Sequence, residues 1–471
     1  MCLGKEMKNI MAVILWFLGV SAATPVFADK ASPEQLARLY LDFMAQTSRQ
    51  SEALWPGFRL DDKVHLFSYA GNVWLRQPGG EIIQDNSVLE SVNLHSGLSI
   101  NFGFPQYQGQ AGVLIQLESP TIQFESTTKT ADLPFVIWAG NSVHEAFHFY
   151  AQSEWRVLED ARRYEGEVYP LNLDARYYRL QLFNALMSAL KQPEQQAQYL
   201  GYAAYWLQVW RQTAPNEDKV SYVNDLVEGS ARYVELIAGA RFLSQNQSYL
   251  GYQQILLQYV QDYYQQQQML GGWTAEAENI GALAGILLDS TQDAYVWKES
   301  VMSGMLPVDL LLSRIKPIAP PVAQNMAQKQ RLQDMLAYYP ATEQKLTQLL
   351  KDVQDPKVPL LVMPSVSDSS SFIDVGEVRS GFYVVPYQEE MTQAYLGMSS
   401  QFSNLNVSGS PLLDVPLQNY CEGIEAATLL PLGFNFQREG QYLVFNEPEI
   451  HGTIRVSASV VEGRTLYCAM N

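Results

Sequence analysis

The spacing of apolar and polar positions changes along the chain, and it first separates a helix from a strand-rich stretch. Residues 32–53 repeat apolar side chains at helical spacing, with Pro33 in the first turn, which predicts an amphipathic helix. From residue 58 to about 137, short alternating runs are separated by Gly, Pro and Asn. Such runs, for example 64–69 and 113–117, predict β-strands, and the apolar run at 135–138 predicts a buried strand.

The middle of the chain has a helical period, and the last quarter returns to strands and turns. Helices are predicted over residues 142–159, 174–191, 193–213, 220–246, 249–269, 274–289 and 307–314. A Pro-rich stretch at 316–321 predicts a break, followed by shorter helices at 322–337 and 342–353. From residue 358 onward, strands are predicted at 381–385, 442–445 and 452–456.

These patterns predict an α+β fold, in which a mainly α-helical part follows a strand-rich segment and precedes a β-rich C-terminal domain. With 471 residues, 47% of them hydrophobic, the chain is long enough for two or three domains. We expect the N-terminal helix and strands to occupy residues 29–137, the helical part 138–355, and the C-terminal domain 356–471.

The first 28 residues have the pattern of a secretory signal peptide. Lys5 and Lys8 precede an apolar run at 10–20, and small residues end at Ala28, where a signal peptidase would cleave. The apolar run is too short to span a bilayer comfortably, and no later run approaches about 20 apolar residues. We therefore expect a secreted or periplasmic protein whose mature chain has no transmembrane segment.

Cysteine content and charge add two further expectations. Cleavage after residue 28 would remove Cys2 and leave Cys421 and Cys468, which in an oxidising compartment predict one disulfide, with two buried thiols as the alternative. The net charge is -18, and no run of Lys and Arg is interleaved with aromatic residues. A polyanion would be repelled, so nucleic acid is excluded as an expected partner.

The segment His144-Glu145-Ala146-Phe147-His148 spells HExxH and is the main candidate for chemistry. Residues four apart on a helix share one face, so His144 and His148 can direct two imidazoles to one tetrahedral zinc ion. Glu145 beside them can take a proton from metal-bound water and pass it to a leaving group. Two polar residues on a solvated helix face are the alternative interpretation of the histidine pair.

Two histidines leave zinc one protein ligand short, and the best candidate is Glu228. A ligand on the same stretch would need Gly at position 151 and His or Asp at position 154, where Ala151 and Glu154 stand. A second helix carries three acids at helical spacing. Among them Glu228 is favoured as ligand, Glu235 is the alternative, and Asp225 is expected to accept a hydrogen bond from a ligand imidazole.

The HExxH segment, followed by a glutamate in the setting Glu228-Gly229-Ser230-Ala231-Arg232-Tyr233-Val234-Glu235, resembles the zinc metallopeptidases of the gluzincin type. The resemblance covers about ninety residues, and the Asn-Glu or Ser-Asp flanks of the best-known gluzincins are absent. It implies a zincin-like metal domain, zinc bound by His144, His148 and Glu228, and Glu145 as general base.

Together these observations predict a secreted or periplasmic zinc-dependent hydrolase, namely a peptidase acting on a peptide or protein substrate. Two alternatives from other classes remain open. In one, the chain binds zinc but serves as a non-catalytic binding or assembly factor of the cell envelope. In the other, it is a helical scaffold without metal, in which His144 and His148 are solvated.

Overall fold

A computed structural model gives the three-dimensional structure of most of the chain. It describes residues 32–69, 71–90, 100–117, 133–158, 166–245, 247–266, 273–291, 293–321, 326–364, 373–378, 381–402, 404–415, 421, 427–433 and 435–470. The expected signal peptide at 1–28 lies outside these residues. The predicted α+β fold is confirmed, with strands near the N-terminal side, helices in the middle and strands at the end.

Twelve α-helices lie within the described residues. They are α1 (Pro33–Ser48), α2 (Ser51–Leu54), α3 (Leu133–Tyr150), α4 (Leu173–Lys191), α5 (Gln196–Thr213), α6 (Pro215–Leu243), α7 (Tyr249–Gln266), α8 (Trp273–Thr291), α9 (Ala294–Met302), α10 (Pro307–Leu312), α11 (Met326–Met335) and α12 (Tyr339–Gln354). Helix α9 was not predicted. The helix predicted at 32–53 is divided into α1 and α2, and α3 begins and ends nine residues earlier than predicted. The ends of the other predicted helices differ by at most five residues.

The N-terminal strands form one sheet against which the first helix packs. The strands are β1 (Val64–Tyr69), β2 (Asn72–Arg76), β3 (Ile82–Gln84), β4 (Ile100–Gly103), β5 (Gln106–Tyr107) and β6 (Gln110–Leu117). Their order is β3-β2-β1-β6-β4, with β5 paired to β6, and only the β1–β6 pair is parallel. Apolar residues of α1, of this sheet and of α3 share one core, so the sheet is anchored on the helical part.

One predicted strand is wrong, because residues 135–138 form the first turns of α3. Phe135, Val136, Ile137 and Trp138 are all at most 7% exposed. A helix buried on every side gives the same unbroken apolar run as a buried strand. The expected boundary between residues 137 and 138 therefore falls inside α3. The helix also ends earlier than predicted, at Tyr150, and short 3₁₀ turns follow at Gln152–Glu154 and Arg156–Leu158.

Helices α6 and α8 approach each other closely through two glycines. A Cβ atom added to Gly281 would lie 2.4 Å from the Cα atom of Gly229, and one added to Gly229 would lie 2.8 Å from the Cα atom of Gly281. The absence of side chains at both positions lets the two helix backbones come this close. Contact between these two glycines holds α8 against the side of α6 that faces away from α3.

We expect Gly281→Ala to destabilise the protein by about 1–3 kcal/mol, because the new methyl group would press on the backbone of Gly229. This loss should appear although alanine favours a helix over glycine by about 1 kcal/mol. Urea unfolding measures it. Gly433→Ala is the control, since a Cβ there meets no atom within 4 Å. Equal midpoints for the two variants would contradict the close packing.

The C-terminal region contains two layers of strands that share one long strand. The strands are β8 (Leu360–Pro364), β9 (Ile373–Val378), β10 (Phe382–Tyr387), β11 (Glu390–Tyr395), β12 (Met398–Phe402), β13 (Asn404–Ser408), β14 (Leu412–Val415), β15 (Ala427–Pro431), β16 (Phe436–Glu439), β17 (Tyr442–Glu447), β18 (Ile450–Val461) and β19 (Arg464–Ala469). The first half of β18 pairs with β13 and β17, and its second half pairs with β19.

Alternate residues of β8 face two different cores, which shows how the layers stack. Leu360 and Val362 lie in one core together with the apolar face of α12, whereas Leu361 and Met363 lie in a second core with residues of β13 and β17. Helix α12 therefore covers one face of the sheet, and the second layer of strands covers the other.

Two links tie the C-terminal region together and to the helical part. The predicted cysteine pair is joined by a disulfide, with the Cα atoms of Cys421 and Cys468 5.7 Å apart. The short strand β7 (Glu167–Val168), which precedes α4, pairs in parallel with β10. Glu167 also accepts a hydrogen bond from the Tyr339 hydroxyl of α12 at 2.7 Å. A segment of the helical part is thus a strand of the C-terminal sheet.

A buried histidine of the N-terminal sheet predicts a specific loss of stability in acid. His65 in β1 is 4% exposed, and its Nε2 atom lies 2.9 Å from the Ser48 hydroxyl. Burial lowers the pKa of His65 from 6.5 to about 4. Between these two values the unfolded chain binds a proton that the folded chain does not. The free energy of unfolding should therefore fall as the pH drops from 6.5 towards 4, by at most about 1.4 kcal/mol per pH unit from this residue.

The measurement is urea unfolding of wild type and of His65→Gln at a series of pH values from 7 to 4. The free energy of unfolding of the variant should change less with pH than that of wild type, and this holds whether or not the variant is less stable at pH 7. Identical pH slopes for the two proteins would show that His65 does not bind its proton differently in the folded and unfolded states.

Candidate metal centre

Helices α3 and α6 bring the three predicted ligands together. His144 and His148 lie on one face of α3, with ring centroids 4.6 Å apart, and Glu228 faces them from α6. The Oε2 atom of Glu228 lies 3.3 Å from His144 Nε2 and 3.4 Å from His148 Nε2. One ligand atom from each residue lies within 4.8 Å of the others. Within the described part of the chain, this is the one group of three or more His, Cys, Asp or Glu residues that could hold a metal ion.

All three side chains are buried, with relative exposures of 3–5%. Glu145, the predicted general base, is also buried, at 3% exposure, and adjoins His144 on α3. Consecutive residues lie about 100° apart around a helix, so Glu145 is beside the histidine face and not on it. In this position Glu145 is not one of the three candidate ligands, and a general base must not itself bind the metal.

The second nitrogen of His144 faces Glu235, not Asp225 as expected. His144 Nδ1 lies 3.2 Å from Glu235 Oε2. On α6, Glu228 and Glu235 differ by about 20° around the axis, so both point towards α3, whereas Asp225 lies about 60° away from Glu228. Asp225 instead pairs with Arg179 of α4, at 2.6 Å. Glu235, the alternative ligand, therefore lies at the His144 nitrogen that Asp225 was predicted to face.

Glu235 reaches His144 because α3 has a glycine at the crossing point. A Cβ atom at Gly140 would lie 2.9 Å from the Cγ atom of Glu235, so only a glycine leaves room for that side chain. Burial alone would raise the pKa of Glu235, but the Arg232 guanidinium and the His144 imidazole outweigh burial, and the pKa is lowered. Arg232 in turn forms an ion pair with Glu278 of α8. Glu235 is therefore an ionised carboxylate that lies next to His144 Nδ1.

The second nitrogen of His148 faces an amide that the sequence did not identify. His148 Nδ1 lies 2.5 Å from Gln152 Oε1, and Gln152 Nε2 donates to the Val227 carbonyl at 2.8 Å and to Ser230 Oγ at 2.9 Å. Gln152 is 3% exposed. The sequence signal for Gln152 was its position four residues after His148. A glutamine at that spacing is common on solvated helices, so the spacing alone did not identify it.

Glu154, two tyrosines of α6 and the exposed histidine of β18 lie outside this group. Glu154 is exposed in a 3₁₀ turn, which agrees with its rejection as a ligand. Of the two tyrosines near the ligand helix, Tyr233 donates to Asp289 at 2.5 Å and Tyr222 donates to the Gly304 carbonyl. His451 is exposed on β18, and His95 lies outside the described residues. Neither tyrosine is placed to stabilise an oxyanion at the candidate centre.

A second buried network of charges lies one turn along α6 from Glu228. Arg179 pairs with Asp225 and, at 3.1 Å, with Glu276 of α8. Arg176 pairs with Glu276 at 2.5 Å and with Glu217 of α6. Since all five side chains are at most 9% exposed, the network ties α4, α6 and α8 together behind the candidate centre.

Comparisons of the chain with protein-family models, with curated proteins and with solved structures give no match. Within the described residues, none of the helices combines the length and the apolar character that a bilayer crossing would need. The functional assignment therefore depends on the geometry of the candidate centre.

Proposed function

We propose that the chain is a zinc-dependent hydrolase of the gluzincin type, with peptides or proteins as substrates. The observation that carries this proposal is the convergence of His144 Nε2, His148 Nε2 and Glu228 Oε2. The Nδ1 atom of each ring faces an oxygen acceptor, Glu235 or Gln152. With a proton on each Nδ1, both Nε2 lone pairs point towards the Glu228 carboxylate. Three acceptors at this distance are stabilised by a cation between them.

Zinc is the metal that this donor set fits best. Two imidazole nitrogens and one carboxylate oxygen are the protein ligands of many catalytic zinc sites, in which a fourth position stays open for water or substrate. A purely hard-oxygen site would favour calcium or magnesium, and a thiolate-rich site would favour a structural role. The residues present therefore fit a catalytic zinc ion.

Glu145 supplies the base that the reaction needs. Zinc, when bound, lowers the pKa of a coordinated water to about 7 and polarises the scissile carbonyl. The Glu145 carboxylate accepts a proton from the attacking water and then delivers it to the leaving amine nitrogen. Glu145 is 3% exposed and adjoins His144 on α3, so this base lies beside the ligand face and away from bulk solvent.

The position of β4 supports an extended peptide as substrate. Within the described residues β4 pairs with β6 alone, so it is an edge of the N-terminal sheet. Phe104, directly after β4, stacks on Phe149 of α3 with ring centroids 4.2 Å apart. Phe149 is one helical turn from Glu145, so the end of this edge strand contacts α3 one turn away from the proposed base. A peptide backbone can add to such an edge through main-chain hydrogen bonds.

We also propose that the protein acts outside the cytoplasm, in a secreted or periplasmic location. The expected signal peptide and the Cys421–Cys468 disulfide both support an oxidising compartment.

Metal analysis of the purified protein tests the proposal most directly. We expect about one zinc per chain in wild type and a loss of most of it in His148→Ala, since two protein ligands hold zinc poorly. Elemental mass spectrometry measures both, and His451→Ala, which alters an exposed histidine on β18, is the control. If wild type binds no zinc even after zinc is supplied, the proposed function is wrong. Zinc binding without hydrolysis of any peptide library would instead indicate a binding or assembly factor.

A further inference from the structure

We infer that Gln152 is a positioning residue for the metal centre: with Ser230 and the Val227 carbonyl, its amide fixes His148 as the Nδ1–H tautomer. The effect of Gln152 on zinc binding rests on the proposed function, whereas the tautomer of His148 can be inferred without it. Gln152 lies outside α3, in the 3₁₀ turn that follows it, and reaches across to α6. It therefore connects the two helices that carry the ligands.

The orientation of the Gln152 amide follows from its two partners on α6. The Val227 carbonyl can only accept a hydrogen bond. Ser230 Oγ lies 2.6 Å from the Leu226 carbonyl, so the serine proton is engaged there and Oγ presents a lone pair to Gln152. Both partners are acceptors, and the –NH₂ group of Gln152 must face them.

The remaining polar atom of the amide, Gln152 Oε1, then determines which ring nitrogen of His148 carries the proton. With –NH₂ turned to α6, the carbonyl oxygen Oε1 is the atom that faces His148 Nδ1, at 2.5 Å. An amide oxygen accepts and cannot donate, so Nδ1 must carry the hydrogen. The Nε2 atom of a neutral ring is then unprotonated and faces Glu228. A carboxylate at position 152 would place an oxygen against the Val227 carbonyl, which explains why the site uses an amide.

The two ligand histidines are therefore held by groups of different charge. His144 faces the ionised carboxylate of Glu235, which Arg232 holds in turn, whereas His148 faces a neutral amide. A hydrogen bond to an anion makes an imidazole a stronger donor to metal than one to a neutral oxygen does. We expect Gln152 to act mainly by holding the His148 ring in one orientation. Because α3 alone does not fix that ring, removal of the Gln152 amide should leave the ring disordered.

Nitrogen-15 NMR of protein labelled at histidine tests the tautomer directly, because protonated and unprotonated ring nitrogens have well-separated shifts. The His148 signal is assigned by its absence in His148→Asn. In metal-free wild type at pH 8, we expect His148 to carry its proton on Nδ1. An Nε2–H tautomer for His148 would overturn the inference, whether or not the protein binds zinc.

The second measurement is zinc affinity, by competition with a chelator, in Gln152→Met. Methionine keeps the side-chain volume and removes all three hydrogen bonds, so we expect affinity to fall about 10–100-fold. The absorption spectrum of the cobalt-substituted protein should also change, which a loss of packing elsewhere would not cause. Glu154→Gln, two residues away and exposed, is the control and should match wild type.

The outcomes separate this inference from the proposed function. Zinc affinity within about twofold of wild type in a folded Gln152→Met would overturn the positioning role, even if wild type is an active hydrolase. Absence of zinc from wild type would overturn the proposed function, while the tautomer measurement would still decide whether the amide fixes His148. If Gln152→Met does not fold, the wild-type tautomer alone decides.

Discussion

Glu145→Gln is expected to lower the rate of peptide hydrolysis by the zinc-loaded protein about 10²–10⁴-fold while leaving the metal bound. The amide keeps the size of the side chain but cannot accept a proton from water at neutral pH. Because Glu145 lies beside the ligand face of α3 and is not one of the three converging ligands, zinc content should stay at the wild-type value. Cleavage of a peptide library, followed by mass spectrometry, gives the rate, and elemental analysis gives the metal.

The matched control is Glu154→Gln, which makes the same chemical change nine residues later, at an exposed side chain. It should hydrolyse the library at the wild-type rate. Hydrolysis by Glu145→Gln at an undiminished rate would remove Glu145 as general base. Loss of zinc from that variant would mean that Glu145 belongs to the coordination sphere, contrary to the geometry of the centre.

Arg179→Met should destabilise the protein by about 3–5 kcal/mol, the usual cost of removing one partner from a buried ion pair. The guanidinium of Arg179 is 2% exposed and lies between Asp225 and Glu276, whose side chains are 8% and 9% exposed. Methionine fills most of the space but removes the cation that pairs with the buried carboxylate of Asp225, whereas Glu276 keeps its ion pair with Arg176. Urea unfolding at pH 7 gives the difference in free energy.

Arg38→Met is the control for this prediction. Its ion pair with Glu34 has the same kind of charges at 2.8 Å, but both side chains are more than half exposed. Solvent screens such a pair, so the change should be within about 1 kcal/mol of wild type. A similar loss of stability in the two variants would show that burial does not govern the energy of the Arg179 pairs.

The convergence of His144, His148 and Glu228 was predictable because each depends on local spacing that a helix preserves. His144 and His148 share a face in any helix. Glu228 lies on an acidic face of its helix, and buried carboxylates need a partner such as a metal ion or a hydrogen-bond donor. Gln152 was not predictable in this way, since its role depends on where α3 ends and on how α6 crosses it. The exchange of Asp225 and Glu235 has a similar cause, because spacing alone cannot say which helix each acid faces.

The fold shows the same division between local pattern and tertiary packing. The alternation of strand residues correctly predicted both strand-rich regions, and the helical period predicted most of the helices. The mistaken strand at residues 135–138 arose because α3 is buried on all sides there, so its sequence shows no polar face. Helix α9 was missed for a different reason: Trp297 and Val301 are buried, but exposed apolar residues such as Tyr295 and Val296 hide the periodic pattern.

The pairing of β7 with β10 has a consequence for how this chain is made. During synthesis Glu167 emerges about 200 residues before Tyr383, its partner in the sheet, and contacts of such long sequence separation form late in folding. Until then Val168, which packs with Val384, has no cover from the sheet. A nascent chain halted within the helical part would expose this strand edge on the ribosome, where a chaperone that binds extended segments could recognise it.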